Sequence, residues 1–464
     1  MKKKLLSMLL VAVMATGILA GCSKSGTDKN PPKDEPKATT APANDKSEDT
    51  STPAPTDATD PQLAKSIKIL SIWAEDNDNG ILMNNILKRY QEEVNPNFTY
   101  EYELVSANNL KMKISTLAAS NDLPDIFVYE SGKPLKELID AGKVLDVGAE
   151  LEKLGVMSHM NESAVSLLKN LSETDELYDL PLGLNVEGFW YNKELFAKAG
   201  VEAPTTWDEF ETVLEKLHAA GIQPFSCGAG DKWGATRIIN AYTVRLLGAE
   251  AMTKAANGEA KYTEEAYVKA AAKIQEWANK GYFGQGVTTV DMNTAGTMLC
   301  SGQAAIFYNG SWFAANLNDP TYNVAGEDGI GFFNVPVVDP SISDENSYSM
   351  NCGNILAFSK DKYDEATSWF LKYFVEEIGN EAMSTQGSVK GYNYSVSEGD
   401  MSNYTKMVLE RINSATSAFA WYEAKMNSEV STVAQENVQT LINGDITPEE
   451  YMSSIQEAYD MSSY

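Results

Sequence analysis

From residue 66 onward the apolar positions alternate between two spacings. SIKILSIWAED is a short, nearly continuous apolar run, which predicts a strand buried on both faces. ILMNNILKRYQEEV follows with Met83, Ile86, Leu87, Tyr90 and Val94 at helical spacing. FTYEYELV returns to a strand pattern, NLKMKISTLAAS to a helix, and PDIFVYES to a buried strand. Strand-helix-strand repetition of this kind predicts an α/β sheet with right-handed crossovers. The theme continues through the strands GFWYN, AAIFYNG, GIGFFNVPVV and GNILAFS. Two helices carry their own start signals. Thr206 and Glu209 have capping-box spacing ahead of a helix that stops at Gly221, and Thr447, Pro448 and Glu450 open DITPEEYMSSIQEAY. DKYDEATSWFLKYFVEEIG is a third helix, with Ala366, Trp369, Phe370 and Tyr373 on one face. No internal repeat or heptad run is present.

The first 65 residues obey other rules. Lys2, Lys3 and Lys4 precede an apolar stretch over 5–20, too short to be a comfortable membrane span. It stops at Leu19-Ala20-Gly21-Cys22, which resembles the lipobox of bacterial lipoproteins, where the chain is cut before the cysteine and the thiol is acylated. The expectation is a signal peptide over 1–21 and a lipid anchor at Cys22. Residues 22–65 are rich in Pro, Thr, Asp, Lys and Ala with almost no large apolar side chain, so they cannot offset their own ordering entropy and read as a disordered tether. The roughly 400 residues beyond it exceed the ~250–300 at which a single core stops growing, so two lobes are expected.

Charge and residue usage narrow the chemistry. A formal net charge of −28 disfavours nucleic acid or anionic lipid as a ligand. Cys227, Cys300 and Cys352 lack Cys-x-x-Cys spacing and read as small buried side chains rather than a disulfide or metal site. The chain has two histidines, His159 and His218, both read as structural, which leaves little room for histidine catalysis or zinc ligation. DNDNG hints at a calcium loop, but Gly80 arrives one position early and no glutamate fills the twelfth position. No nucleophile elbow, phosphate loop or His-Glu-x-x-His is present, and neither cofactor nor metal is expected.

LPLGLNVEGFWYNKELFAKAGVEAPTTWDEF, GQAAIFYNGSWFAANL and GNILAFSKDKYDEATSWFLKYF resemble, in order and spacing, segments of the extracellular solute-binding proteins of carbohydrate ABC importers, and LINGDITPEEYMSSIQEAY resembles that family's terminal helix. The resemblance implies a two-lobed, type II periplasmic-binding-protein-like α/β fold with the ligand cleft between lobes. About three interlobe crossings are implied, near Glu187, near Cys352 and between Gly391 and Ser397. Lobe 1 would comprise 66–187 plus 353–392, and lobe 2 188–352 plus 393–464. Ligands of open α/β sheets sit beyond the carboxyl ends of strands, and hinge closure would bury one between two such ends.

A neutral sugar needs indole platforms for its C–H faces and Asp, Glu, Asn or Arg for its hydroxyls. Candidates are therefore sought where strands end. Trp73 and Asp76 follow the first strand, and Glu130 ends the third, where the family often places a sugar contact. Asn185 and Glu187 flank the first crossing, and Asn354 sits beside the second. Trp233 lies in the glycine-rich CGAGDKWGA, which resembles a sugar-contacting loop, and Trp312 follows the turn YNGSW. Trp421 lies near the C-terminal helices, although AFAWYEAKM also reads as the start of an amphipathic helix. Trp207, Trp277 and Trp369 lie on helical faces and read as core; Trp190 is left aside because either it or Tyr191 must point inward.

The resulting expectation is a non-catalytic, monomeric binding protein. It would capture a carbohydrate, most simply an oligosaccharide, and hand it to the transmembrane permease subunits of an ABC transporter. It would touch the membrane through its lipid alone, on the outer face of a Gram-positive cell. Two alternatives stand beside it. One is a cell-surface glycoside hydrolase, since carboxylates and indoles also build glycosidase clefts; the other is the same fold holding a peptide, polyamine or organic phosphate.

Overall fold

The computed structural model describes residues 62–75 and 77–462. The expected signal segment, Cys22, most of the expected tether and Asp76 lie outside the described residues. Among the described residues, ten strands form two sheets. In chain order they are β1 (Lys65–Ser71), β2 (Phe98–Leu104), β3 (Ile126–Glu130), β4 (Asn185–Asn192), β5 (Gln223–Ser226), β6 (Ala304–Gly310), β7 (Ile330–Phe333), β8 (Ser347–Asn351), β9 (Asn354–Phe358) and β10 (Ser417–Phe419). The first sheet has the order β2-β1-β3-β9, parallel except for β9. The second runs β10-β8-β4-β6-β5, with β7 pairing β4 where β8 has ended.

Side chains alternate across a strand, so the neighbours Phe189 and Trp190 of β4 enter different cores. Phe189 packs with Ile306 and Tyr308 on one face of the second sheet, whereas Trp190 packs with Phe307 and Phe313 on the other. Trp190 is fully buried and donates its indole N–H to the Gly310 carbonyl at 3.2 Å, so it is the inward member of the Trp190–Tyr191 pair. The first sheet buries Ile69 and Leu356 on the face covered by the helices Asp78–Arg89 and Glu365–Gln386, which present Leu82, Ile86, Phe370 and Phe374. The capping boxes form as expected: Thr206 and Glu209 exchange both bonds, and so do Thr447 and Glu450.

Five stretches depart from the expected pattern. β5, β8 and β10 are too short or too polar in sequence to announce themselves, yet each completes the second sheet. Residues 420–427 form turns rather than the start of a helix; the helix begins only at Ser428, capped by the side chain of Asn427. The 365–386 helix continues seven residues past Gly379, because that glycine lets the 392–393 backbone pass close by.

The chain passes between the sheets before Asn185, through Cys352 and Gly353, and after Gln386. These passes are bonded to one another. Leu182 N–H donates to Cys352 O at 3.0 Å and Leu184 N–H to Val389 O at 3.1 Å. Asp179 and Tyr392 are buried beside them, and Asp179 Oδ2 and the Tyr392 hydroxyl find no hydrogen-bond partner among the described residues. Burial pushes the Asp179 carboxyl up to about 7. Cys227, Cys300 and Cys352 are buried with free thiols. No helix among the described residues is long and apolar enough to cross a membrane.

Candidate ligand-binding site

β5 and β6 run parallel and β4 runs against them, so the carboxyl ends of β5 and β6 and the start of β4 share one edge of the second sheet. β8 and β10 end at that edge too, since Asn185 pairs with Asn351. The same end of the first sheet carries the carboxyl ends of β1 and β3 and the start of β9, with Glu130 opposite Asn354. Only Cys352 and Gly353 separate β8 from β9. An extended chain covers about 3.5 Å per residue, so the two edges lie within roughly 10 Å of each other at this point.

On the second edge the predicted residues converge. The Trp233 and Trp312 rings are half-buried, 6.2 Å apart and tilted by 54°. Trp233 opens the helix Trp233–Leu247, one turn before Arg237. The Arg237 guanidinium lies 5.5 Å from the Trp233 ring and 5.6 Å from the Trp421 ring. Trp312, Trp233, Arg237 and Trp421 therefore make a row of planar groups.

Beneath the row is a charged network. Arg237 Nε donates to Glu187 Oε2 at 3.2 Å, and its Nη1 pairs with Glu423. Glu187 is 0 % exposed and Glu423 1 %. The remaining acceptor sites of Glu187 are filled by Tyr308 OH at 3.0 Å and Asn351 Nδ2 at 2.6 Å, and those of Glu423 by Thr236 Oγ1 and Gln435 Nε2. Asn185 extends the network, donating to Asn351 Oδ1 at 3.1 Å and accepting from Ser311 Oγ at 3.2 Å. Burial tends to lower the Arg237 pKa, but the Glu187 and Glu423 charges outweigh it and hold the group raised. The Tyr308 hydroxyl is pushed well up by its burial and by the Glu187 charge.

Predicted residues on the first edge are more scattered. Trp73 is 8 % exposed, its carbonyl accepting from Tyr102 OH at 3.1 Å. Glu130 pairs with Lys111 at 3.0 Å, and Lys111 reaches across to Ser431. Asn354 is half-buried, with Nδ2 3.5 Å from Tyr129 O. Asn185 and Glu187 are thus engaged in protein–protein bonds, whereas Trp233 and Trp312 retain accessible faces. Trp207 and Trp277 stack at 5.7 Å within the second core, and Trp369 packs half-buried on the first.

Arg237 and Glu423 were not anticipated from sequence. A signal was available: the chain has four arginines, and two of them, Arg237 and Arg245, sit on WGATRIINAYTVRLL, a helix apolar on nearly every side. A guanidinium in such a helix must be buried and therefore paired.

A two-lobed α/β molecule whose strand ends face each other across a chain crossing, with indoles along one side, is the architecture of type II binding proteins. The family model of the bacterial extracellular solute-binding proteins matches residues 75–381, and the chain belongs to that family. Among curated relatives, the multiple sugar-binding protein of Streptococcus mutans is 23 % identical over 254 residues, 52 % of this chain and 57 % of that protein. The xylose/arabinose-binding protein of Haloferax volcanii is 24 % identical over 295 residues, 59 % of this chain and 62 % of that protein. The match thus spans less than two thirds of the length of either. Among solved structures, a chitin oligosaccharide binding protein superposes with a TM-score of 0.78 at 27 % identity, covering 86 % of this chain and 98 % of that one. A protein solved in a study of xylan utilization by Caldanaerobius polysaccharolyticus gives 0.75 at 22 % identity, covering 85 % and 99 %, which speaks for the fold.

Proposed function

We propose that this protein captures a neutral carbohydrate, an oligosaccharide rather than a single ring, and delivers it to the permease of an ABC importer. The observation that carries the reading is the Trp312–Trp233 pair, two half-buried indoles side by side at a strand-end edge. Such rings cover sugar C–H faces, and two of them suit more than one ring. The names of the relatives support it: a multiple sugar-binding protein, a xylose/arabinose-binding protein and a chitin oligosaccharide binding protein. The lobes would be 66–187 plus 353–392 and 188–352 plus 393–464. An acyl chain on Cys22 would hold the monomer at the outer membrane face, with the tether giving it reach.

Hydrolysis is the weaker reading. Glu187 and Glu423 share one guanidinium beneath the indoles, so neither is free to act as a general acid. A thermal-shift screen with chitotriose, xylotriose, raffinose, glutamate and spermidine tests the proposal. A rise in Tm with a sugar alone, unaffected by added salt, is the expected result; a rise only with the charged solutes, or release of reducing ends from the sugars, overturns it.

A further inference from the structure

Residues 420–428 leave β10 in the second sheet, keep Tyr422 and Met426 buried in the second core, and turn other groups to the first lobe. Lys133 N–H donates to Ala424 O at 2.9 Å. Ser428 gives its N–H and hydroxyl to Glu137 at 3.2 and 3.0 Å, and Lys425 pairs with Glu173 at 3.0 Å. Trp421 and Ala424 bury themselves against Leu171 of the 162–172 helix. Gly132 shows that the seat is built for this strap. Its φ is 88°, and a Cβ there would stand 2.5 Å from Ala424 O, so a side chain would push the strap away.

The same strap supplies Glu423 to Arg237, and Arg237 lies over Trp233. We propose that Arg237 is a positioning residue that ties ligand capture to the seating of the 420–428 strap on the first lobe. The inference rests on the reading of Trp233 as a ligand platform. A guanidinium is planar and forked, so one group can bind two carboxylates while its faces lie against two indoles. Glu187 is fixed in β4, and Glu423 lies in the strap between Tyr422 in the second core and Ala424 against the first lobe. Because both carboxylates are buried, Arg237 cannot follow one without uncovering the other. A sugar resting on Trp233 therefore holds Arg237 where Glu423, and with it the strap, docks against the first lobe. When Ala424, Lys425 and Ser428 give up their first-lobe contacts, Trp421 at the end of the row loses its packing on Leu171.

Amide hydrogen exchange on the full chain reads the strap directly, since the Lys133 amide is bonded to it. In Arg237→Lys, which keeps the charge and loses the fork, protection at Lys133 and across 420–428 falls by about tenfold without any ligand, while β4 and β6 stay protected. Arg237→Met should do the same, and Glu423→Gln, which keeps the side chain's size, serves if the methionine variant fails to fold. Wild-type exchange at Lys133 in Arg237→Lys overturns the linkage whether or not a sugar binds. In the second arm, chitotriose titrated into wild type should further slow exchange at Lys133, and Lys425→Ala, which loses Asn170 O and Glu173 on the first lobe, should weaken chitotriose about twofold. Unchanged affinity in Lys425→Ala overturns the coupling. If neither chitotriose nor any other sugar of the screen binds wild type, the capture reading falls, and with it the ligand half of the inference.

Discussion

On the edge of the second sheet two half-buried indoles, Trp233 and Trp312, and the buried Trp421 line up with a guanidinium held by two buried carboxylates, whereas the edge of the first sheet offers a nearly buried Trp73 and a Lys111–Glu130 pair. The β4 part of that edge is fixed without any ligand, because Glu187 is already bonded by Tyr308, Asn351 and Arg237. The first edge contributes mainly surface to be covered: Leu171, Gly132 and the Lys133 amide receive the strap. On the reading proposed above, one side would be prepared to hold and the other to close, and preorganisation on the holding side would spare the ligand the cost of ordering it.

The largest effect should come from removing a carboxylate of the holding side. Glu187→Leu strands the Tyr308 hydroxyl, the Asn351 amide and half of the Arg237 fork, and should cost about 3–5 kcal/mol in urea unfolding. A loss below about 1 kcal/mol would mean that the network is not what fixes that edge.

Next comes pH, which separates the paired carboxylates of that edge from the unpaired one at the chain crossings. The Asp179 carboxyl titrates near 7 when folded and near 4 when unfolded. Between those values the folded chain holds a proton that the unfolded chain has lost, so stability should fall as pH rises from about 4 to 7 and level off above. The contribution is about 4 kcal/mol, and Asp179→Asn should remove it, leaving the variant more stable than wild type at pH 8. An Asp179→Asn melting curve that keeps the wild-type pH dependence would show that this group does not set it.

Smaller effects sharpen the contrast further. Trp312→Ala should weaken sugar binding about tenfold, or about 1.4 kcal/mol, with Tm of the free protein nearly unchanged. Trp73→Ala should reverse that pattern, lowering Tm by several degrees with less effect on binding, because its ring is mostly packed. Lys425→Ala touches a rim pair and should change unfolding free energy by no more than about 0.5 kcal/mol.

The alternation of apolar spacings made the two sheets legible wherever a strand was long and buried, as in β1, β3, β4, β6 and β9. It failed for β8, whose Ser347, Ser349 and Asn351 are buried yet polar: Asn351 serves the Glu187 network and Ser347 meets Ser417 of β10. Site residues divide along the same line. Trp233 and Trp312 were visible because indoles in polar, glycine-bearing loops have few packing reasons to be there. Glu187 and Asn185 were found by position, but pairwise geometry alone reveals that their side chains are bonded to the protein itself. Arg237 and Glu423 lie 186 residues apart, and no local pattern connects them. Only the folded chain makes them partners.

Cys352 and Gly353 are so brief a join that they act as a pin. With Gly353 at a φ of 72° and its N–H bonded to the Asn351 side chain at 2.8 Å, the strand ends on either side are free to rotate but not to slide. Whatever angle the lobes adopt, Asn351 and Asn354 stay neighbours, and the mouth must widen from the far side, like a book lying on its spine.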